Sequence, residues 1–207
     1  AAVINVQWFD GSNESIEAGA RLSPIASNLA DELYSSAPLV WSELVNRDSV
    51  SSNSVKARRD LLHRMLSHEG IEHLGIEGFP AERGLYETLL RSTGIHREVS
   101  EGNWRFVQPD RDGEARFAAI WQATRDMFVD SSSRVKATDI LERWSAAPFG
   151  VKAGIQPVLF AAFLLAHQSN VAVYKDGMFI PRLTDADIDE YLQDAGRFSL
   201  RWVVIDE

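Results

Sequence analysis

The sequence predicts a mainly α-helical α+β fold with short β-hairpins, arranged as two tandem winged-helix-like units. Three observations carry this. Apolar residues recur at helical spacing in segment after segment. An Asp176-Gly177 pair sits between two short β-prone runs, a strong hairpin signal. The order helix, helix, helix, hairpin recurs, well over 114–182 and more loosely over 25–107, with extra helices at the front.

Taken in order, residues 3–9 (VINVQWF) read as a strand ended by Asp10-Gly11, and 14–24 as a loop or short helix stopped at Pro24. Ile25, Leu29 and Leu33 have helical spacing and place a helix over 25–34. Pro38 opens a second helix over 39–46. Ser51 and Ser52 cap a longer helix running to Glu69, with Val55, Leu62 and Leu66 on its apolar face and Gly70 as its stop. The stretch 74–78 is turn-prone. Pro80 suits a helix start, and the helix runs to Thr93 with Leu85, Tyr86, Leu89 and Leu90 inward. Residues 104–107 (WRFV) form a short strand.

The loop 108–113 holds proline, glycine and charge, and marks the domain boundary. The division is then an N-terminal strand and linker at 1–24, a first unit at 25–108 and a second unit at 114–207. In the second unit, 114–129 is a helix with Phe117, Ile120, Trp121, Thr124 and Phe128 on one side. Thr138 caps a helix through Trp144, which Ala147-Pro148-Phe149-Gly150 ends. An apolar helix follows at 155–167, then the hairpin 171–182. Thr184 caps an acidic helix at 185–194, and 198–205 is a last strand.

The chain has 207 residues, 21 Lys and Arg against 30 Asp and Glu, and no cysteine. No disulfide framework, cysteine-bound zinc or thiol nucleophile is available. The acidic balance opposes wholesale coating of nucleic acid, which needs concentrated positive charge. The charge is unevenly spread. Residues 51–69 carry Lys56, Arg58, Arg59 and Arg64 against Asp60 and Glu69, whereas 185–207 carry seven acids against Arg197 and Arg201. The apolar run 155–166 has about a dozen residues, short of the roughly 20 that a membrane span requires, and reads as a buried helix. No basic stretch precedes an apolar run at the start, so a cytoplasmic location is expected. The opening Ala1-Ala2-Val3, without methionine, reads as part of a longer protein.

No constellation for chemistry emerges. There is no phosphate-cradling GxxxxGK[ST] loop. His68 and His73 stand five apart across Gly70, which defeats the i, i+4 geometry of a helical zinc site. Asp185, Asp187 and Asp189 resemble the start of a calcium loop, but its sixth and twelfth positions hold Glu190 and Gly196, the wrong residues. They suit the first turn of a helix, where the dipole favours carboxylates. The expectation is therefore no metal, no cofactor and no catalytic residue.

Several phrases together resemble one family: Leu33-Tyr34 with Ala37-Pro38, Glu43 to Arg47 (ELVNR), Ser51 to Arg59 (SSNSVKARR), Leu74 to Glu82 (LGIEGFPAE) and Ala147 to Lys152 (APFGVK). They are similar to the C-terminal region of large bacterial P-loop ATP-binding proteins encoded at phage-defence (BREX-like) loci, over residues 20–202. The resemblance implies a nucleotide site in a different domain, so no catalytic residue carries over. The family-like polar positions Glu43, Asn46, Arg47, Glu77, Glu82 and Arg83 read as a structural network fixing helix packing.

The resulting expectation is a non-catalytic regulatory or protein-interaction module of a large cytoplasmic ATPase in antiviral defence. Its partners would be other domains of the parent or a partner protein, with no membrane. One alternative is a DNA-binding winged helix using Lys56, Arg58, Arg59, Arg64 and Arg105. Another is a small enzyme with a site around His63, Glu77, Glu82 and His96.

Overall fold

The computed structural model describes residues 22–40, 51–129 and 133–203. Helix α1 spans Leu22–Leu33. Pro24 was expected to stop a preceding segment; it lies instead in the first turn of α1, where a missing N–H costs nothing. Tyr34, just beyond α1, lies against Gly150. A Cβ at Gly150 would come within 2.7 Å of the Tyr34 ring, and its φ of +58° also favours glycine. Ser36 N–H donates to the Pro148 carbonyl at 3.1 Å, and Leu39 N–H to that of Ala115 at 3.2 Å. Leu39 and Val40 are not helical. The rest of the helix expected over 39–46, and the strand expected over 3–9, fall outside the described residues.

Helix α2, Ser52–Ser67, begins where Ser51 accepts a hydrogen bond from Ser54 N–H. Its buried face is Ser54, Ala57, Leu61, Leu62 and Met65. Val55, expected inward, is exposed. The row 54, 57, 61, 65 follows the i, i+3/i+4 spacing of one helix face and meets both α3 and α6. A short turn at Glu72–Gly75 follows. Helix α3, Ala81–Tyr86, runs on as a π-helical turn through Glu87–Arg91, burying Leu85, Tyr86, Leu89 and Leu90 as expected. Strands β1, His96–Ser100, and β2, Asn103–Phe106, form an antiparallel hairpin with an irregularity between Glu98 and Ser100. The sequence predicts only the second strand of this pair, over 104–107.

Helix α4, Phe117–Val129, buries the five residues assigned to its inner side. Strand β3, Val135–Lys136, leads directly into α5, Ala137–Ser145. Lys136 is the N-cap, so Thr138 lies inside the first turn and does not cap the helix as expected. Helix α6, Gln156–Ala166, buries Gln156 and every residue from Val158 to Leu164. Gln156 satisfies its amide by donating to Ser145 Oγ at 2.7 Å and to the Val151 carbonyl at 3.1 Å.

Strands β4, Val171–Lys175, and β5, Met178–Ile180, close over a two-residue turn. Asp176 and Gly177 have φ of 51° and 83° there. Positive φ at both positions matches the right-handed twist of the flanking strands, which is why Asp-Gly is favoured. Helix α7, Asp185–Gln193, opens with a reciprocal cap: Thr184 Oγ1 accepts from Asp187 N–H, and the Asp187 carboxylate accepts from Thr184 N–H at 3.0 Å. Thr184→Ala is expected to cost about 1 kcal/mol. An unchanged urea midpoint would show that this cap does not hold the helix.

Strand β6, Phe198–Trp202, completes an antiparallel sheet in the order β3-β6-β4-β5. Among the described residues the result is a mixed α+β fold with two small antiparallel sheets. One continuous apolar core runs through both halves of the chain. Helix α2 packs on α6 and α7, and β2 on α6. Phe160 stacks on Tyr191 with ring centroids 4.8 Å apart, and Phe163 meets Trp121 and Phe128. Among the described residues no helix is long and apolar enough to cross a membrane.

Candidate functional site

Two polar assemblies stand out, and the first joins the halves of the chain. On α2, Arg59 holds Asp189 of α7 through paired hydrogen bonds, Nε to Oδ1 at 2.6 Å and Nη2 to Oδ2 at 2.5 Å. His63 Nε2 lies 3.1 Å from the same carboxylate, and His63 Nδ1 lies 4.0 Å from Asp185. Arg59 and His63 hold the Asp189 carboxyl below its usual range, and the Arg59 hydrogen bond is the largest cause. The adjacent Arg58 donates to the Gly154 carbonyl at 3.3 Å. Burial lowers its pKa, opposed by Tyr191. Arg64 reaches back to the Gly75 carbonyl at 3.2 Å.

Three of the five DNA-contact candidates therefore have partners within the chain. Arg58, Arg59 and Arg64 are spent on two carbonyls and one carboxylate. Lys56 is exposed on α2, and Arg105 is exposed on β2, where its charge acts on Glu69. The acidic α7 meets the basic α2 through Asp189 against Arg59 and His63.

The second assembly lies between the 72–75 turn, α3 and the first hairpin. His73 and Leu74 adopt left-handed φ of 56° and 54°. This aims His73 at the helix, with its ring centroid 5.8 Å from Tyr86 and 6.3 Å from Trp104. Arg91 Nη1 donates to His73 Nε2 and, at 3.1 Å, to Glu72. Arg83 donates to Glu87 at 2.7 Å and to the Ile76 carbonyl at 2.8 Å. Arg91 also lies over the Trp104 ring, 5.5 Å from its centroid. Burial lowers the His73 pKa, and the charges of Arg83 and Arg91 add to that effect.

Beneath this layer His96 is fully buried. Its Nε2–H donates to the Glu69 carbonyl at 2.7 Å, and its Nδ1 accepts from the Tyr86 hydroxyl at 2.9 Å. Both ring nitrogens are satisfied in the neutral form, and burial lowers the pKa further. Burial pushes the Tyr86 hydroxyl up to about 12. His96 thus behaves as a hydrogen-bonded core histidine.

Of the proposed structural network, Arg83 is central, but its partners are Glu87 and the Ile76 carbonyl. Glu77 is exposed and Glu82 half-buried. Glu43, Asn46 and Arg47 lie outside the described residues. The four residues of the enzyme alternative have separate surroundings: His63 faces α7, His96 is enclosed under Tyr86, and Glu77 faces solvent. Sequence reasoning missed Glu72, His73, Glu87, Arg91 and Trp104. The spacing of Arg83, Glu87 and Arg91 at i, i+4, i+8 is the signal that would have found two of the five, Glu87 and Arg91. Among the described residues no group of three or more His, Asp or Glu side chains is placed to hold a metal ion. Arranged this way, both guanidinium groups neutralise nearby carboxylates and clamp a strained turn onto α3.

No protein-family model, curated protein or solved structure matches the chain.

Proposed function

We propose that this chain is a non-catalytic regulatory or protein-interaction module of a large cytoplasmic bacterial ATPase of the kind encoded at phage-defence loci. The parent is inferred from the resemblance of its phrases. The interaction role is supported chiefly by α1: Leu29, Leu33 and Tyr34 are exposed at 36%, 56% and 39%, and Ile25, Leu29 and Leu33 form one apolar row at i, i+4, i+8. Apolar side chains gathered on one exposed face are a frequent mark of a protein interface.

In this proposal both halves are winged-helix-like units, α1-α2-α3-β1-β2 within 25–108 and α4-β3-α5-α6-β4-β5 within 114–207. The second departs from the simple pattern because β6 separates β3 from the hairpin. In a DNA-reading unit the third helix enters the major groove. Here that helix, α6, is buried along nearly its whole length, which favours the interaction reading over duplex recognition.

The open reading frame is the first test: a Walker motif upstream of these residues is expected, and its absence from the parent and its neighbouring genes would overturn the ATPase assignment. Second, Leu29→Glu/Leu33→Glu is expected to weaken association with the upstream domains at least tenfold in co-purification, while the far-UV circular dichroism stays unchanged. Undiminished co-purification would remove α1 as the interface.

A further inference from the structure

The four-stranded sheet packs one face on the helices and leaves the other outward. Pairing registers place Lys136 opposite Ser199, Ser199 opposite Tyr174, and Tyr174 opposite Phe179. Cross-strand partners share a face, so these four side chains form one row across all four strands. Two residues along, Ala172 pairs with Arg201 on the same face. The intervening residues Val135, Val171, Val173, Phe198 and Leu200 are buried on the opposite face.

The outward positions of the strands are thus Lys136, Ala172, Tyr174, Phe179, Ser199 and Arg201. There is no carboxylate among them, in a chain whose net charge is −9. Arg134 adds a third cation: its guanidinium lies 4.1 Å from the Tyr174 ring centroid, and its Nη1 donates to the Gly177 carbonyl at 2.9 Å. The nearest acids of the hairpin and α7 are engaged, Asp176 by Arg197 and Asp187 by Lys175. Phe179 is 57% exposed, with its ring centroid 5.7 Å from that of Tyr174.

We propose that this outer sheet face, the row Lys136–Ser199–Tyr174–Phe179 with Arg134 and Arg201 beside it, binds single-stranded nucleic acid. The row spans three strand spacings, about 14 Å. Four-stranded sheets with exposed aromatic residues stack two or three unpaired bases in this way. Phe179 offers a ring, Arg134 on Tyr174 offers a guanidinium plane, and Lys136 and Arg201 flank them to meet phosphates. Stacking accepts any base, because every base has a π-face. A duplex keeps its bases stacked inside and gains nothing from Phe179. An acidic peptide would use the cations but not the rings. This surface is distinct from α2, whose arginines are spent internally, and from the α1 row assigned to protein contact.

The test is fluorescence anisotropy of the full chain with labelled dT12 and rU12, at salt from about 50 to 200 mM. Binding of one or both is expected, with log K falling against log salt at a slope of about −1.4, for two phosphate contacts at about 0.7 each. A preference for rU12 would assign the natural strand as RNA, and equal binding would leave the sugar unread; both support the surface. Phe179→Ala is expected to weaken binding about tenfold, and Lys136→Glu/Arg201→Glu to abolish it. Lys56→Glu is expected to change it less than twofold. All variants are at exposed positions, and a retained thermal transition checks their folding. The proposal fails if neither oligonucleotide binds at low salt, if Phe179→Ala binds as wild type, or if a duplex or polyglutamate competes as well as dT12.

Discussion

Trp144→Ala is expected to cost the fold about 3–5 kcal/mol, a large share of the 5–15 kcal/mol by which a native domain is stable. Trp144 is completely buried on α5 and meets Phe160 of α6 edge-on at 6.4 Å. Its indole N–H donates to Thr124 Oγ1 at 2.8 Å, and the Thr124 hydroxyl donates in turn to the Ile120 carbonyl at 2.8 Å. One side chain therefore fills the space between α5 and α6 and ties both to α4. Alanine would remove the ring and leave a cavity too well walled to collapse. Thr124→Val separates the two contributions: it keeps the volume but strands the indole N–H, at about 1–3 kcal/mol. Urea denaturation followed by tryptophan fluorescence and circular dichroism would give both values. A loss below about 1 kcal/mol for Trp144→Ala would show that the packing around it is loose.

The second half of the chain was the more legible, for physical reasons. The inner side of α4, the uniform apolarity of α6 and the Asp176-Gly177 turn are each set by local residues. Periodicity and turn chemistry are local rules. What escaped was long-range. Nothing near residues 198–202 says that β6 inserts between β3 and β4. Strand β1 reads His96-Arg97-Glu98-Val99-Ser100, with too little apolar alternation to announce itself, and it exists because β2 pairs with it. Pro24 and Thr138 were misplaced by two or three residues, since proline and threonine are at home both at a helix boundary and in its first turn.

The sites followed the same division. That α2 was basic and α7 acidic was plain in the composition. That Arg59 and His63 would meet Asp189 required the two halves to dock, which local patterns do not encode. The left-handed pair His73-Leu74 was invisible for a different reason: neither residue favours positive φ, so only the surrounding clamp of Arg83, Glu87 and Arg91 accounts for it. On the outer sheet face, the row Lys136, Ser199, Tyr174, Phe179 joins four strands spread over 64 positions of sequence, from 136 to 199, and exists only once the registers are known.

Acid is expected to destabilise the protein well before its carboxylates titrate, and His167 should carry the largest single share. It follows α6, with its ring 4.8 Å from Phe163 and 5.3 Å from Trp202, and its Nε2 is buried with no hydrogen-bond partner. Burial pushes its pKa down to about 4, and the charge of Arg125 adds to the shift. In the unfolded chain the imidazole takes a proton near pH 6.5. The unfolded state therefore binds more protons between about pH 6.5 and 4. Stability is complete above that window and is lost as pH falls through it. At about 1.4 kcal/mol per unit the loss by pH 4.5 is about 2–3 kcal/mol. His73 and His96, also lowered, act in the same direction. His167→Phe keeps an aromatic ring among aromatic neighbours and removes the proton. It should leave the urea midpoint at pH 7 within about 1 kcal/mol of wild type and recover most of the loss at pH 4.5. If wild type and variant lost stability equally between pH 7 and 4.5, the acid sensitivity would lie with His96, whose two internal hydrogen bonds must break before it can accept a proton.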